Sequence, residues 1–445
     1  MAPLPRPSSF PDKAWRIALY LVAVSGPLVV SVTTGGDGLA LSFDSLGRCA
    51  GLLAFGTLAA QFILSARFLW IEGPFGLDRI YGFHRTMGLV AGALLLSHPL
   101  LLAVGGYGSR LFTDLGAPWE IWVGKATLAL LLLLAGAALG CQALRLNFET
   151  WRLAHGAVAT VVLLAAIAHG FRAGGDLQGF VPRGVFAGYA AAALVCVAYA
   201  KAAMRLDRGR TYTVGGVKQE THNTWTVTLR RPEGRPRRDY LPGQFHFLVF
   251  RTDGRLPTEE HPFTISSDPL GGETRASTIK ASGDFTRRIG ELRPGDRASV
   301  SPPYGRFSYV LHPDETDLVF VAGGIGITPF ISMIRHLRSA SADRTVLLLY
   351  GNRTEADVVF REELAAGEAA ERPRLRVVHV LSQPSASWDG ETGFIDGEKL
   401  ERLCGELRGK GFYVCGPPPM MRQVTRALRR LGVPSARVHY ERFAL

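Results

Sequence analysis

The stretch 81-YGFHRTMGLVAGALLLSHPL-100 places two histidines, His84 and His98, in a run otherwise suited to hydrocarbon. About seventy residues later 153-LAHGAVATVVLLAAIAHGF-171 repeats the arrangement with His155 and His169. The separation is fourteen residues in both stretches. Along an α-helix, fourteen positions rise about 21 Å and stop about 40° short of four full turns. Each stretch therefore presents two imidazoles on nearly one side, at two depths.

Working outward, the 445 residues are 47% apolar, a length that points to two or three domains. The long apolar runs crowd into the first 205 or so, where six windows qualify as membrane spans: about 14–33, 49–71, 82–104, 121–143, 153–171 and 184–203. A spanning helix needs roughly 20 apolar residues. The fifth window is the shortest. The first lacks a small-residue cleavage site ahead of a soluble domain and is read as a span rather than a secretory leader.

With the amino terminus inside, the inner segments carry twelve Lys and Arg, among them Arg16, Arg67, Arg79, Arg85, Arg145 and Arg152. The outer segments carry five: Arg48, Arg110, Lys125, Arg172 and Arg183. That bias predicts a multi-pass protein of the inner or plasma membrane with both termini cytoplasmic. The formal charge of +12 is thus a topological signal; no basic stripe interleaved with aromatics points to nucleic acid. Five cysteines without a CxxC exclude a disulfide framework and a thiolate zinc site.

One antiparallel helix separates the third span from the fifth, so these two run parallel. His84 and His155 then share a depth near the cytoplasmic face, and His98 and His169 share one near the outer face. Two facing imidazole pairs stacked through a bilayer suit two six-coordinate haems of the b type, which favours electron transfer over direct oxygen binding. The plainer alternative is that polar residues hold the helices together by hydrogen bonds. Four ionisable groups with one repeated spacing weigh against it. Arg85, Arg152 and Arg172 lie near the ligands, either as propionate partners or as interfacial anchors.

After the charged hinge 201-KAAMRLDRGR-210, short strand-like segments follow: 211-TYTVGGV, 224-TWTVTLR, 244-QFHFLVF and 275-RASTIKA. Turn signals separate them, which predicts a small antiparallel β-barrel over 211–312. From 313 to 445, strands at 317-DLVFVAGG, 345-TVLLLYGN, 375-LRVVHVLS and 411-GFYVCG alternate with helices at 329-PFISMIRHLRSA, 355-EADVVFREELAAG and 419-PMMRQVTRALRRLG. That alternation predicts an α/β domain on a parallel sheet, with ligands at the carboxyl ends of its strands.

Short motifs sit at those ends. In 322-AGGIGITPF the glycines Gly323, Gly324 and Gly326 let backbone approach a pyrophosphate, Thr328 is placed to cap a helix, and Pro329 suits its first position. In 414-VCGPPPMM, Cys415 is expected at the sheet edge, against a nicotinamide. In 281-ASGDFTRRI, Gly283, Asp284 and Thr286 open a short helix whose N–H groups suit phosphate. In 260-EHPFTISS, Phe263 offers an aromatic face for a flat ring, Thr264 a hydroxyl and His261 a polar group. A tight turn, a small buried residue and plain strand sequence are the alternatives.

Together these residues resemble the bacterial NADPH oxidase and ferric reductase family over almost the whole chain. The matching elements are the four histidines, HPFT (261–264), GDFT (283–286), GGIGITP (323–329), CGPPP (415–419) and the ending 441-ERFAL-445. The resemblance implies a six-helix transmembrane haem bundle over 1–210, a ferredoxin-reductase-like FAD barrel and a nicotinamide-nucleotide domain. His261, Pro262, Phe263, Thr264 and Lys280 would then meet FAD, with Gly283, Asp284, Phe285 and Thr286 near its phosphates. Gly323, Gly324, Gly326, Thr328, Cys415 and Gly416 would hold the nucleotide. Phe443 would cover the flavin until nicotinamide displaces it, with Glu441 and Cys415 beside the reacting ring. Arg353 suits an adenosine 2′-phosphate, while Glu355 and Asp357 suit a ribose hydroxyl, so NADPH and NADH both stand. The calcium-binding loops of some relatives are missing.

The implied activity is electron transfer from cytoplasmic NAD(P)H through FAD and two haems b to an external acceptor. Each electron moved outward works with or against the potential at about 2.3 kcal/mol per 100 mV. Dioxygen, giving superoxide, and a ferric chelate are rival acceptors. The alternative is an electron-supply protein feeding a periplasmic partner protein.

Overall fold

A computed structural model describes residues 10–34, 42–140, 148–173, 175–177, 179–206, 211–234 and 239–441. These residues form two compact units that meet at Arg205 and Leu206, inside the charged hinge.

The first unit holds six helices long and apolar enough to cross a membrane. They are α1 (Phe10–Thr34), α2 (Phe43–Ser65), α3 (Leu77–Leu102), α4 (Trp119–Gly140), α5 (Phe148–Ala173) and α6 (Phe180–Leu206). Their number and order agree with the six windows; their edges do not. The fifth is not the shortest: α5 has 26 residues, like α3, and α4 with 22 is the shortest. An apolar window discards Glu149 and Arg152, yet these two pair at 2.7 Å across one turn and support the start of the helix. The second window moves from 49–71 to 43–65. Ser42 caps α2 by accepting from the Ser45 N–H at 3.1 Å, and Arg67, in left-handed backbone at φ 54°, forbids its continuation.

Small residues set the helix spacing, as membrane packing requires. A Cβ on Gly56 of α2 would stand 2.2 Å from the Val24 carbonyl oxygen of α1. Phe55 of α2 stacks on Phe186 of α6 at 4.0 Å. Val162 and Leu163 of α5 are fully buried, the first among Leu58 and Leu131, the second among Ala59 and Ala193.

The second unit contains two six-stranded sheets. The first is antiparallel in the order β4-β3-β6-β1-β2-β5. Its strands are β1 (Thr211–Thr221), β2 (Thr224–Arg230), β3 (Phe245–Arg251), β4 (His261–Thr264), β5 (Thr274–Lys280) and β6 (Arg297–Val300). Just beyond β4, the Ser266 N–H donates to the Ala276 oxygen of β5 at 2.8 Å, bringing the two edge strands together. Val227, Leu229, Leu248 and Phe250 fill the interior, plugged by Phe285 of the short helix α7 (Asp284–Arg287).

The second sheet is parallel, in the order β10-β9-β8-β7-β11-β12. Its strands are β7 (Asp317–Gly323), β8 (Thr345–Asn352), β9 (Arg374–Leu381), β10 (Glu391–Thr392), β11 (Gly411–Cys415) and β12 (Val438–Glu441). Helices α8 (Thr328–Ser339), α9 (Arg361–Glu368), α10 (Gly397–Cys404) and α11 (Pro418–Arg430) accompany it. Alternate residues of β7 enter separate cores: Leu318 and Phe320 one, Val319 and Val321 the other. Burial on both faces explains why its sequence reads as an unbroken apolar run. The expected helix over 355–367 is interrupted. Asp357 accepts from the Thr354 N–H at 3.1 Å and closes a turn, Phe360 takes left-handed backbone at φ 61°, and α9 begins only at Arg361.

Helix α8 ties the two sheets into one unit. Ser332 Oγ donates to the Ser267 carbonyl at 2.8 Å. Arg335 donates to the Ser266 carbonyl at 2.6 Å while its remaining donors hold Glu363 at 2.7 and 2.6 Å. A bidentate pair of this kind fixes direction as well as distance.

Candidate functional site

The four membrane histidines meet in two pairs. His84 of α3 and His155 of α5 have ring centroids 6.3 Å apart, at 61° between planes. His98 of α3 and His169 of α5 are also 6.3 Å apart, at 81°. The equal fourteen-residue spacing on two helices thus produces two equal gaps. Two imidazole nitrogens on opposite sides of one metal sit about 2 Å from it. Adding about 1.1 Å from nitrogen to ring centre on each side gives about 6.3 Å between centroids for trans ligation of one iron. The donor set and the gaps fit a six-coordinate iron porphyrin at each pair.

The backbone fixes which nitrogen is available at the His98 and His169 pair. Nδ1 of His98 lies 2.8 Å from the Gly47 carbonyl of α2, and Nδ1 of His169 lies 2.8 Å from the Glu120 carbonyl of α4. A carbonyl only accepts, so Nδ1 carries the hydrogen in both rings and Nε2 is left with the lone pair. Glycines make room for these rings. A Cβ on Gly51 would stand 2.9 Å from Nδ1 of His98, and one on Gly124 would stand 2.7 Å from Cε1 of His169.

At the other pair, Nδ1 of His84 and Nδ1 of His155 are buried without a hydrogen-bond partner. The Gln61 backbone lies close enough to His84 to act on it. Trp151 lies against His155, ring centroids 5.0 Å apart. Gly88, one turn from His84, and Gly156, next to His155, have no atom within 4 Å of where a Cβ would stand. The candidate propionate partners differ in occupation: Arg152 is bound to Glu149 at 2.7 Å, Arg172 lies over Trp119 at 5.8 Å, and Arg85 is exposed.

In the second unit, the two glycine motifs come together backbone to backbone. β7 and β11 are parallel neighbours, with Ala322 opposite Cys415. A Cβ on Gly326 would stand 2.4 Å from the Cys415 oxygen, and one on Gly416 would stand 3.0 Å from the Gly323 backbone. Any side chain here would drive the two loops apart. After β7 the chain continues to β8, β9 and β10 on one side; β11 and β12 lie on the other. The β7–β11 crevice is therefore the switch point of the sheet, where open α/β sheets bind nucleotides. Gly324 holds left-handed backbone at φ +53° and opens onto free space.

Several expected residues are placed differently. Thr328 is already helical and follows a tight turn over Gly324–Ile327; its hydroxyl donates to the Ile325 carbonyl at 3.0 Å, and Pro329 stands second. Cys415 is not at the sheet edge, because β12 pairs outside it with Glu441 opposite. Burial pushes its thiol well above the usual range, and Glu441 adds to that. The thiol stays protonated and uncharged. The Glu441 carboxylate reaches Gly305, in the connection that follows β6, 3.7 Å from where its Cβ would stand. Phe443 lies outside the described residues.

In the GDFT stretch, the N–H groups of Ser282 and Gly283 donate to Thr286 Oγ1 at 2.9 Å, so the turn engages those two donors itself. Phe285 is a core side chain at 5% exposure, with His261 stacked on it at 4.0 Å. His261 also lies 3.1 Å from Glu259. Pro262, Phe263 and Thr264 lie in β4 opposite Phe247, His246 and Phe245, and Lys280 closes β5 opposite Thr224. Arg353 is exposed at the end of β8. Its acidic neighbours are engaged: Glu355 accepts from the Ser385 N–H at 3.0 Å, and Asp357 accepts from Thr354. The hydrogen bonds from Ser385 hold the Glu355 carboxyl below its ordinary range.

Gly47, Gly51, Gly124, the Glu120 carbonyl and Trp151 escape a reading that looks only for ligands. The signal for the first two is their four-residue spacing in an apolar helix, which marks a face where something approaches closely.

Residues 50–166 match the family described as ferric reductase like transmembrane component, and residues 320–426 match the oxidoreductase NAD-binding domain. NADH-cytochrome b5 reductase 1 of Kluyveromyces lactis is 30% identical over 49% of this chain and 78% of its own length. The ferredoxin reductase component of the 3-ketosteroid-9-alpha-monooxygenase of Rhodococcus rhodochrous is 32% identical over 53% of this chain and 66% of its own. Among solved structures, the flavohaem-like FAD/NAD binding domain of nitric oxide dioxygenase from Vibrio cholerae is 25% identical, covering 52% of this chain and 97% of that one with a TM-score of 0.47.

Proposed function

This chain belongs to the ferric reductase and NADPH oxidase-type family, and on that premise we propose that it carries electrons from cytoplasmic NADPH through FAD and two haems b to a small oxidant across the membrane. It is a multi-pass membrane oxidoreductase by its six apolar helices and its NAD-binding domain. The observation that carries the proposal is the repeated 6.3 Å gap between paired imidazoles on α3 and α5.

FAD, when bound, turns the hydride pair of a nicotinamide into single electrons, and haem b carries such electrons one at a time. The chain's own residues make that possible. His84 with His155, and His98 with His169, are the residues that would hold the two haems, and haems held by paired imidazoles would supply electron transfer. Gly47 and Glu120 orient the second pair through its Nδ1 hydrogens. In the soluble unit, residues 211–312 hold the flavin and residues 313–445 the nucleotide. Gly323, Gly324, Gly326 and Gly416 bring backbone close to the pyrophosphate. Cys415, neutral and small, leaves the floor of the crevice uncharged, and Glu441 stands opposite it on β12. Phe263 lies on β4 for the flavin ring. Arg353 meets the 2′-phosphate, because Glu355 and Asp357 are held within their loop. The positive-inside bias supports a cytoplasmic position for this unit.

The acceptor is dioxygen or a ferric chelate. Purified protein with FAD is given NADPH or NADH, and dismutase-sensitive dye reduction is compared with anaerobic ferric-chelate reduction. Turnover with either acceptor that requires all four histidines supports the proposal. Turnover with neither, while NADPH still reduces the flavin, points to a partner protein as acceptor and removes the small-oxidant reading.

A further inference from the structure

Away from the glycine crevice, near the amino end of β7, two imidazoles converge on one buried carboxylate. Glu315 precedes β7 and is only 2% exposed. Its Oε2 accepts from the Tyr413 hydroxyl of β11 at 2.6 Å, and its Oε1 lies 2.8 Å from Nε2 of His439 on β12. His312, three residues earlier in the same connecting segment, lies against His439 with ring centroids 3.9 Å apart and planes tilted by 31°. The fold makes room for this carboxylate: a Cβ on Gly411 would stand 2.2 Å from Oε2. A buried carboxylate is costly unless compensated, and here phenol and imidazole compensate it from two different strands.

The ligand atoms of His312, Glu315 and His439 all lie within 4.8 Å of one another. Two neutral imidazoles and one carboxylate are a common donor set for zinc, at bonds of about 2.0–2.2 Å. We propose that His312, Glu315 and His439 bind one divalent transition-metal ion, zinc being the one this donor set suits, with a water in the fourth position. Ion entry releases to water the proton shared by His439 Nε2 and Glu315 Oε1, and rotation of the two rings brings their nitrogens onto the ion. Tyr413 keeps its hydrogen bond to Oε2 and orients the carboxylate. The ion clasps β12 to the segment before β7. Because β12 also carries Glu441 opposite Cys415, the clasp fixes one wall of the nucleotide crevice without touching the nucleotide.

The test uses the full-length protein with its cofactors. Zinc and iron are counted separately by elemental analysis after passage over a weak chelating resin, and apo-protein is titrated with cobalt(II). Close to one zinc per chain, and cobalt absorption of a tetrahedral site, are expected. His312→Gln and His439→Gln should each lower zinc retention about tenfold and leave iron unchanged. If His439→Gln fails to fold, His312→Gln decides alone, since that ring makes no hydrogen bond among the described residues. Folded wild-type protein that retains no zinc and shows no cobalt band overturns the proposal. So does zinc content equal in wild type and His312→Gln.

Discussion

The two imidazole pairs have the same spacing and the same gap, yet their surroundings differ. At His98 and His169, each Nδ1 donates to a backbone carbonyl of a neighbouring helix, and a glycine yields space to each ring. At His84 and His155, neither Nδ1 has a hydrogen-bond partner among the described residues, and an indole lies against one ring. The paired imidazoles come from α3 and α5 alone; the carbonyls that orient one pair come from α2 and α4. A histidine donating to a carbonyl is a more basic ligand, and more basic axial ligands favour the oxidised iron. On the proposed ligation, the His98 and His169 pair is therefore expected to hold the site of lower reduction potential.

The largest effect comes from removing one pair at a time. His169→Leu should halve the haem content, lower external reduction on the order of 100-fold, and leave NADPH-to-FAD transfer intact. Haemochrome assay, acceptor turnover and stopped-flow flavin bleaching check these three. In a redox titration the lower-potential transition should vanish with His169→Leu and the higher one with His155→Leu; the reverse assignment breaks the comparison. A smaller effect follows from Gly124→Val, whose side chain collides with the His169 ring. It should cut external reduction about tenfold and broaden only the lower transition, since overpacking of this kind costs about 1–3 kcal/mol.

Changes in the second unit test the comparison from the other side, because they should slow reduction of both pairs equally. Gly326→Val pushes against the Cys415 carbonyl and should raise KM for the nucleotide about tenfold with haem content unchanged, an effect of about 1.4 kcal/mol. Arg353→Ser should weaken NADPH by less than about tenfold and leave NADH nearly untouched. Equal effects on both nucleotides would remove Arg353 from 2′-phosphate recognition.

Much of this was legible in the sequence, and the reasons are physical. An apolar window registers the cost of burying charge, so six spans and their order appear from composition. It cannot see that Glu149 and Arg152 satisfy each other and lengthen α5. The histidine pairing follows from helical periodicity, because ligands on two parallel helices need only depth and side. The carbonyls of Gly47 and Glu120 belong to helices whose neighbours are decided by packing, and no local pattern announces them. The glycine motifs were legible as turns; that Gly326 rests on Cys415 required knowing that β7 and β11 are adjacent. The break at Phe360 and the 124-residue separation of Glu315 and His439 are likewise tertiary facts. Thr328 shows the opposite error, where motif position promised a cap and the backbone supplied a helical residue.

The most direct measurement is the haem count of purified protein against each single histidine replacement, with a reduced-minus-oxidised spectrum of every variant. Two b-type haems per chain in wild type and one in each of the four variants is the predicted result. A wild type with no b-type bands, or with a count that survives loss of His98 and His169 together, contradicts paired ligation between α3 and α5.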